Sequence, residues 1–209
     1  MARVIIDLGK LAEECGLPCT ESMAPDGVHV MRDYEWNADA LAAVAAKAKE
    51  AAKQYDEIQF EGHTPTWVVA AGAYAGQPAT TIGFIVQENK EFPIPGYKQG
   101  EVPEGNPLKF EIDDRGDILV IKFAEAHPAA IGAPRNFDVE EFHNTIVPAV
   151  PAGRHIVLDG FCINVMGTAL ALAYAKDAAS VSMQFHGETG YTCCATNSAD
   201  RKLGDVTYL

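Results

Sequence analysis

Glu57-Ile58-Gln59-Phe60-Glu61-Gly62-His63-Thr64-Pro65-Thr66-Trp67 is the stretch that decides the fold. Its first five residues form a short run with a β-branched and an aromatic side chain, which predicts a strand over 57–61. Gly62 supplies a turn. Thr64 can cap a helix, and Pro65 suits the first helical turn, where a missing N–H costs nothing. The chain therefore passes from the carboxyl end of a strand into the N-terminus of a helix. About half a chain later the same order returns in Ile156-Val157-Leu158-Asp159-Gly160, followed by a helix-forming stretch from about Val165.

Outward from these two turns the halves keep in step. Ile82-Gly83-Phe84-Ile85-Val86 answers Val181-Ser182-Met183-Gln184-Phe185, and Tyr97-Lys98-Gln99-Gly100-Glu101-Val102 answers Arg201-Lys202-Leu203-Gly204-Asp205-Val206. An acidic residue before the strand-ending glycine recurs, and so does a basic residue ahead of each Gly-Glu/Asp-Val ending. This order predicts a diverged tandem duplication, with one α/β copy at 1–104 and a second at 105–209. The plainer account is that two alternating α/β stretches resemble each other anyway; the recurrence of several punctuating residues in order favours duplication. Further strands are expected at 3–7, 27–32, 81–87, 108–113, 117–123, 155–159, 180–185 and 191–196. Asn37 opens an Ala-rich helix over 38–55 with Leu41, Val44, Ala45 and Ala48 on one face. Asp138 and Glu141 form a capping box for a helix through Phe142 that must stop before Pro148. The turn-rich segment 93–107 marks the midpoint.

Composition bounds the class. With 209 residues, 48% hydrophobic and 22% charged, the chain is neither disordered nor fibrous. Its formal charge of −13 opposes duplex nucleic acid and anionic membranes, which need clustered Lys and Arg. One small anionic ligand held in a cleft is compatible with that charge. The N-terminus lacks the apolar core of a signal peptide and no stretch is long and apolar enough to span a bilayer, so a cytoplasmic protein is expected. Five cysteines, an odd number, make a disulfide framework improbable there. Cys193 and Cys194 are neighbours in an expected strand and must face opposite sides, which favours packing roles.

Chemistry concentrates at the first turn. A helix N-terminus offers free N–H groups and the positive end of a dipole, and His63 and Thr64 add donors, so Gly62, Thr64, Pro65 and Trp67 are candidates for holding an anion. A purely structural reading competes with this one: Gly62 turns the chain, Thr64 and Pro65 start the helix, and Trp67 packs in the core, leaving only His63 unexplained. The second turn, Asp159-Gly160-Phe161-Cys162-Ile163-Asn164, offers Asn164 as an N-cap but lacks the His, Thr, Pro and Trp. His186-Gly187-Glu188 places an imidazole beside a carboxylate, the arrangement of a tuned acid/base, and also of an ordinary hairpin turn. The chain has no phosphate-binding P-loop, dinucleotide fingerprint, nucleophile elbow or His-Glu-x-x-His motif.

Together, Gly153-Arg154-His155-Ile156-Val157-Leu158-Asp159-Gly160, the helix through Ala169-Leu170-Ala171-Leu172-Ala173-Tyr174, the closing Leu203-Gly204-Asp205-Val206 and the spacing Gly62-x-x-Pro65-x-Trp67 resemble the small CRISPR-associated ring nucleases of type III systems. Phe110-Glu111-Ile112-Asp113 and Leu119-Val120-Ile121-Lys122-Phe123 look like that family's opening hairpin. Members are about half this length and pair as homodimers, so the resemblance implies two tandem ring-nuclease-like α/β repeats with mixed sheets and flanking helices, packed as a pseudo-dimer. It also implies a cyclic oligoadenylate or related nucleotide ligand, further self-association into a homo-oligomer, and cleavage in which a ribose 2′-hydroxyl attacks its own phosphate with histidine and charged side chains assisting. Manganese enters only through this resemblance; the residues themselves indicate no metal site or other cofactor. The family's helix-end histidines are replaced here by Tyr74 and Gln77 or by Tyr174 to Lys176, and its Asp-x-Arg by residues 86–88 or His186 to Glu188. Its later histidine falls near Asn197 and Ser198. The expected ligand contacts are therefore Gly62, Thr64, Pro65, Trp67, Asp159 and Gly160, with His63, His186 and Glu188 as the catalytic candidates. The alternative is a catalytically inactive scaffold or assembly subunit that kept the fold without the active site.

Overall fold

In a computed structural model of the chain, residues 2–23, 30–77, 79, 81–86, 90–126, 142–160, 163–184 and 189–209 are described. The first sheet has the order β1 (Arg3–Asp7), β4 (Glu57–Glu61), β5 (Thr81–Val86) and β6 (Lys90–Pro93). Its first three strands are parallel and β6 runs antiparallel to β5. The connection from β1 to β4 holds α1 (Leu8–Glu14), the hairpin of β2 (Cys19–Met23) with β3 (Val30–Tyr34), and α2 (Ala38–Ala51). The connection from β4 to β5 is α3 (Thr66–Ala75).

The second sheet is larger. From one edge it runs β14 (Val206–Thr207), β13 (Tyr191–Thr196), β12 (Ser180–Met183), β11 (His155–Asp159), β9 (Ile118–Glu125) and β8 (Leu108–Arg115). Strands β9, β11 and β12 are parallel, with β13 antiparallel to β12, and α4 (Asn164–Ala175) joins β11 to β12. The strand series β1-β4-β5-β6 and β9-β11-β12-β13 thus share one topology: three parallel strands, then an antiparallel one, with a helix after the second. A short parallel pair, β7 (Lys98–Gly100) with β10 (Ile146–Pro148), bridges residues on either side of the boundary expected at 104/105.

Helix α3 explains how the sheets are held together. Every residue from Thr66 to Ala73 is buried, as expected of a helix apolar on all sides. It contacts α2, α4, β12 and β13, while the Phe60 ring of β4 lies against Gly72. Helix α4 contacts β11, β12 and β13 and also β5 of the first sheet. The two helices lie side by side between the sheets. Inner-face pairs in register, Ile58 with Ile82, Phe60 with Phe84, Ile156 with Val181 and Leu158 with Met183, feed one hydrophobic cluster that runs from Ile6 to Ala195. No helix among the described residues is long and apolar enough to cross a membrane.

Several local expectations need correction. Helix α2 ends at Ala51, not Tyr55, because the chain tightens into i-to-i+3 bonds from Lys53 to Glu50 and from Gln54 to Ala51. The polar strand β2, exposed along its length, adds to the strands expected. Helix α1 follows β1 directly, with Asp7 accepting from the Lys10 N–H at 2.9 Å. The two closing segments do different jobs: Gly100 lies in β7, whereas Gly204 sits at φ +87° in the turn before β14. The helix expected from Asp138 and Glu141 lies outside the described residues.

Cys193 and Cys194 are both fully buried. A bulge between β12 and β13 sets Ser182 opposite Cys193, while Cys194 joins the main core. Both are free thiols, as are Cys15 and Cys19. Burial pushes the Cys193 thiol from its ordinary 9.0 up to about 11, and it raises Cys194 and the Tyr174 hydroxyl in the same direction. A raised folded-state value means that the unfolded chain releases the proton first. The associated stability is complete below about pH 9 and is lost as pH climbs through about 11. Urea denaturation across that interval should show falling stability, with a shallower fall in Cys193→Ala.

Candidate functional site

The two strand-to-helix turns meet. Asn164, at the start of α4, donates from Nδ2 to the Thr64 carbonyl at 3.1 Å, and its Oδ1 accepts from the Thr66 hydroxyl at 2.7 Å. Counted from the turn glycines, Thr66 and Asn164 hold the same place, four residues after Gly62 and after Gly160 respectively. At the other end of the helices, Tyr74 donates to Asn197 Oδ1 at 2.6 Å and Gln99 donates from Nε2 to the Ala173 carbonyl at 2.9 Å. Each of α3 and α4 is therefore tied, near its C-terminus, to a residue that follows the last strand of the opposite series.

Both glycines are structurally required. Gly62 has φ +120°, and a Cβ there would stand 3.2 Å from the Gly9 nitrogen in the first turn of α1. A Cβ on Gly160 would stand 2.3 Å from the Phe123 carbonyl oxygen. Their presence is accounted for by the chain path alone.

The helix starts differ from expectation. Pro65, not Thr64, is the N-cap of α3, and Ile163, not Asn164, is that of α4. Neither supplies a side-chain cap, unlike Asp7 for α1 and Asn37 for α2. Thr64 lies one residue too early, and its hydroxyl donates to the Pro65 carbonyl at 3.4 Å; Asn164 spends its amide on the facing turn. Two uncapped N-termini thus sit next to each other, and the first N–H groups of such a helix have no carbonyl of their own helix to bond. Helix dipoles add partial positive charge at the same place.

The remaining candidates are dispersed in role. His63 is half exposed and its Nε2 lies 3.1 Å from Asp33 Oδ1 of β3. Trp67 is 3% exposed and forms a wall of a cleft. Asp159 accepts a hydrogen bond from Tyr191, whose hydroxyl is held above its ordinary value by burial and then by that carboxylate. His186 and Glu188 lie outside the described residues, as does Cys162. Thr66 was missed as a site residue, although its matching place in the two turns was a readable signal. Among the described residues no group of three or more His, Cys, Asp or Glu side chains converges; these residues do not provide a donor set suited to manganese.

Asn164→Ala should destabilise the protein by about 1–3 kcal/mol, because the Thr64 carbonyl would lose its partner in a part-buried setting. Paired with Thr66→Ala in a double-mutant cycle, it should show a coupling of at least about 0.5 kcal/mol.

No protein-family model matches the chain, and no curated protein matches it.

Proposed function

We propose that the chain is a fused pseudo-dimer of two diverged ring-nuclease-like repeats that binds one small anionic ligand of the nucleotide class, a cyclic oligoadenylate by the resemblance, where α3 and α4 begin. The observation that carries this reading is the juxtaposition of two uncapped helix N-termini through Thr66 and Asn164. Contact between equivalent residues is what a two-fold axis produces at its centre. The reciprocal ties of Tyr74 to Asn197 and of Gln99 to Ala173 support the same arrangement. A polyanion meets helix ends and backbone donors there, which answers how a chain of charge −13 accommodates it.

Cleavage is at most slow in this reading, because the family's helix-end histidines are absent and His63 is engaged with Asp33. That engagement, with Asp159 held by Tyr191, favours a second reading: a catalytically inactive scaffold that retains the fold and associates with further copies.

Radiolabelled cyclic tetra-adenylate, incubated with micromolar protein with and without manganese, separates the two. Ligand binding predicts retention of intact ring, weakened by His63→Ala without loss of folding. Absence of retention under both conditions would leave the scaffold.

A further inference from the structure

A cleft of about 390 Å³ is lined by Trp36, Asn37, Trp67, Thr189, Thr192 and Tyr208 among others. Its size falls at the lower end of sites for one small molecule, about 300–1,000 Å³. Trp36 and Trp67 are the two tryptophans of the whole chain, and both line it. Among its described lining residues none is charged; the polar ones are Asn and Thr. Such a lining suits a flat neutral ring with hydrogen-bonding edges and offers no side-chain cation to a phosphate.

The walls are fixed in advance. A Cβ on Gly204 would stand 2.6 Å from Ala38 Cα, so the turn before β14 is pressed onto the start of α2. Tyr208 is 72% exposed, yet its ring leans over Gly190, where a Cβ would stand 3.1 Å from Cε1. An exposed aromatic ring at the mouth of an aromatic cleft is placed to cover whatever enters. Among the described residues the Trp36 Nε1–H has no acceptor, although buried indole N–H groups usually find one.

We infer that this cleft binds a purine ring, one base of the nucleotide-class ligand, against Trp36 and Trp67 with Tyr208 closing over it. The identity of the ligand rests on the function proposed above; the ring site rests on the cleft. Val165 stands five residues after Gly160, where Trp67 stands five after Gly62, so the second turn lacks the corresponding wall. One chain therefore takes one ring.

Intrinsic fluorescence of the full chain reports on this cleft, since both tryptophans line it. Titration with adenosine, which carries the base without phosphate, should quench it saturably with a stoichiometry of one. Ribose 5-phosphate should leave it unchanged. Tyr208→Ala should weaken adenosine binding by about fivefold or more while leaving the melting temperature unchanged, because Tyr208 is largely exposed. Trp36→Ala is the poorer variant, since Trp36 also packs on the core. Fluorescence that does not respond at about millimolar adenosine overturns the inference; if cyclic tetra-adenylate is nevertheless retained, the proposed function stands without it. Quenching that depends on Tyr208, in a protein that does not retain cyclic tetra-adenylate, supports the ring site and removes the oligoadenylate reading.

Discussion

Phe60→Ala is expected to destabilise the protein by about 3–5 kcal/mol, one of the two largest losses considered for this chain. The Phe60 side chain is fully buried and lies over Gly72 of α3 so closely that a Cβ on that glycine would stand 2.6 and 2.8 Å from two of its ring carbons and 3.0 Å from Val44 Cγ1. The fit runs both ways. Truncating the ring leaves a cavity between β4 and α3, whereas Gly72→Ala overfills the same space at about 1–3 kcal/mol, partly offset by the roughly 1 kcal/mol gain in helix propensity. Combining Phe60→Leu with Gly72→Ala should therefore lose less than the sum of the two single changes. Urea denaturation of the four proteins reads this directly, and additive losses would show that the ring and the glycine do not share one space.

Gly160→Ala should destabilise by about 1–3 kcal/mol or more. The added methyl meets the Phe123 carbonyl oxygen at 2.3 Å and ring carbons at 3.0 Å. That oxygen belongs to the backbone of β9, held in register between β8 and β11, and cannot yield without moving a strand. Gly83→Ala is the matched control. Its methyl also meets atoms at 2.3 and 2.6 Å, but they are the carboxamide end of Gln59, a side-chain terminus that can shift at the cost of its 2.8 Å bond to Glu57. In a strand, alanine regains roughly 0.5–1 kcal/mol over glycine, so Gly83→Ala should be close to neutral. Thermal melts of both variants distinguish a fixed from a movable neighbour at the same distance.

Much of this architecture was legible in the chain. Strands 57–61, 155–159 and 191–196 coincide with β4, β11 and β13, because each is a short buried run ended by a turn or a polar stop. Helix α3 begins within a residue of expectation since Pro65 limits where it can start. What escaped had no local pattern. The hairpin strand Cys19–Met23 is exposed along its whole length and shows no alternation. Strands β7 and β10 are three residues each and exist only by pairing across the midpoint. The caps were misjudged for a related reason: Thr64 and Asn164 have capping chemistry, yet the Thr64 hydroxyl turns to the Pro65 carbonyl and the facing turn claims the Asn164 amide. At the site, Thr66 was readable from its place four residues after Gly62, matching Asn164 after Gly160, whereas Tyr191 reaches Asp159 from another strand.

The proposed function reduces to one geometric claim: the ligand lies against the first turns of α3 and α4 together. Amide hydrogen exchange with and without saturating cyclic tetra-adenylate tests that most directly. The account predicts added protection in both segments, around Thr66 to Val68 and around Val165 to Gly167, with the outer edge strand β8 unchanged. Protection confined to one of the two helices, or its absence from both in a ligand-bound protein, would contradict it.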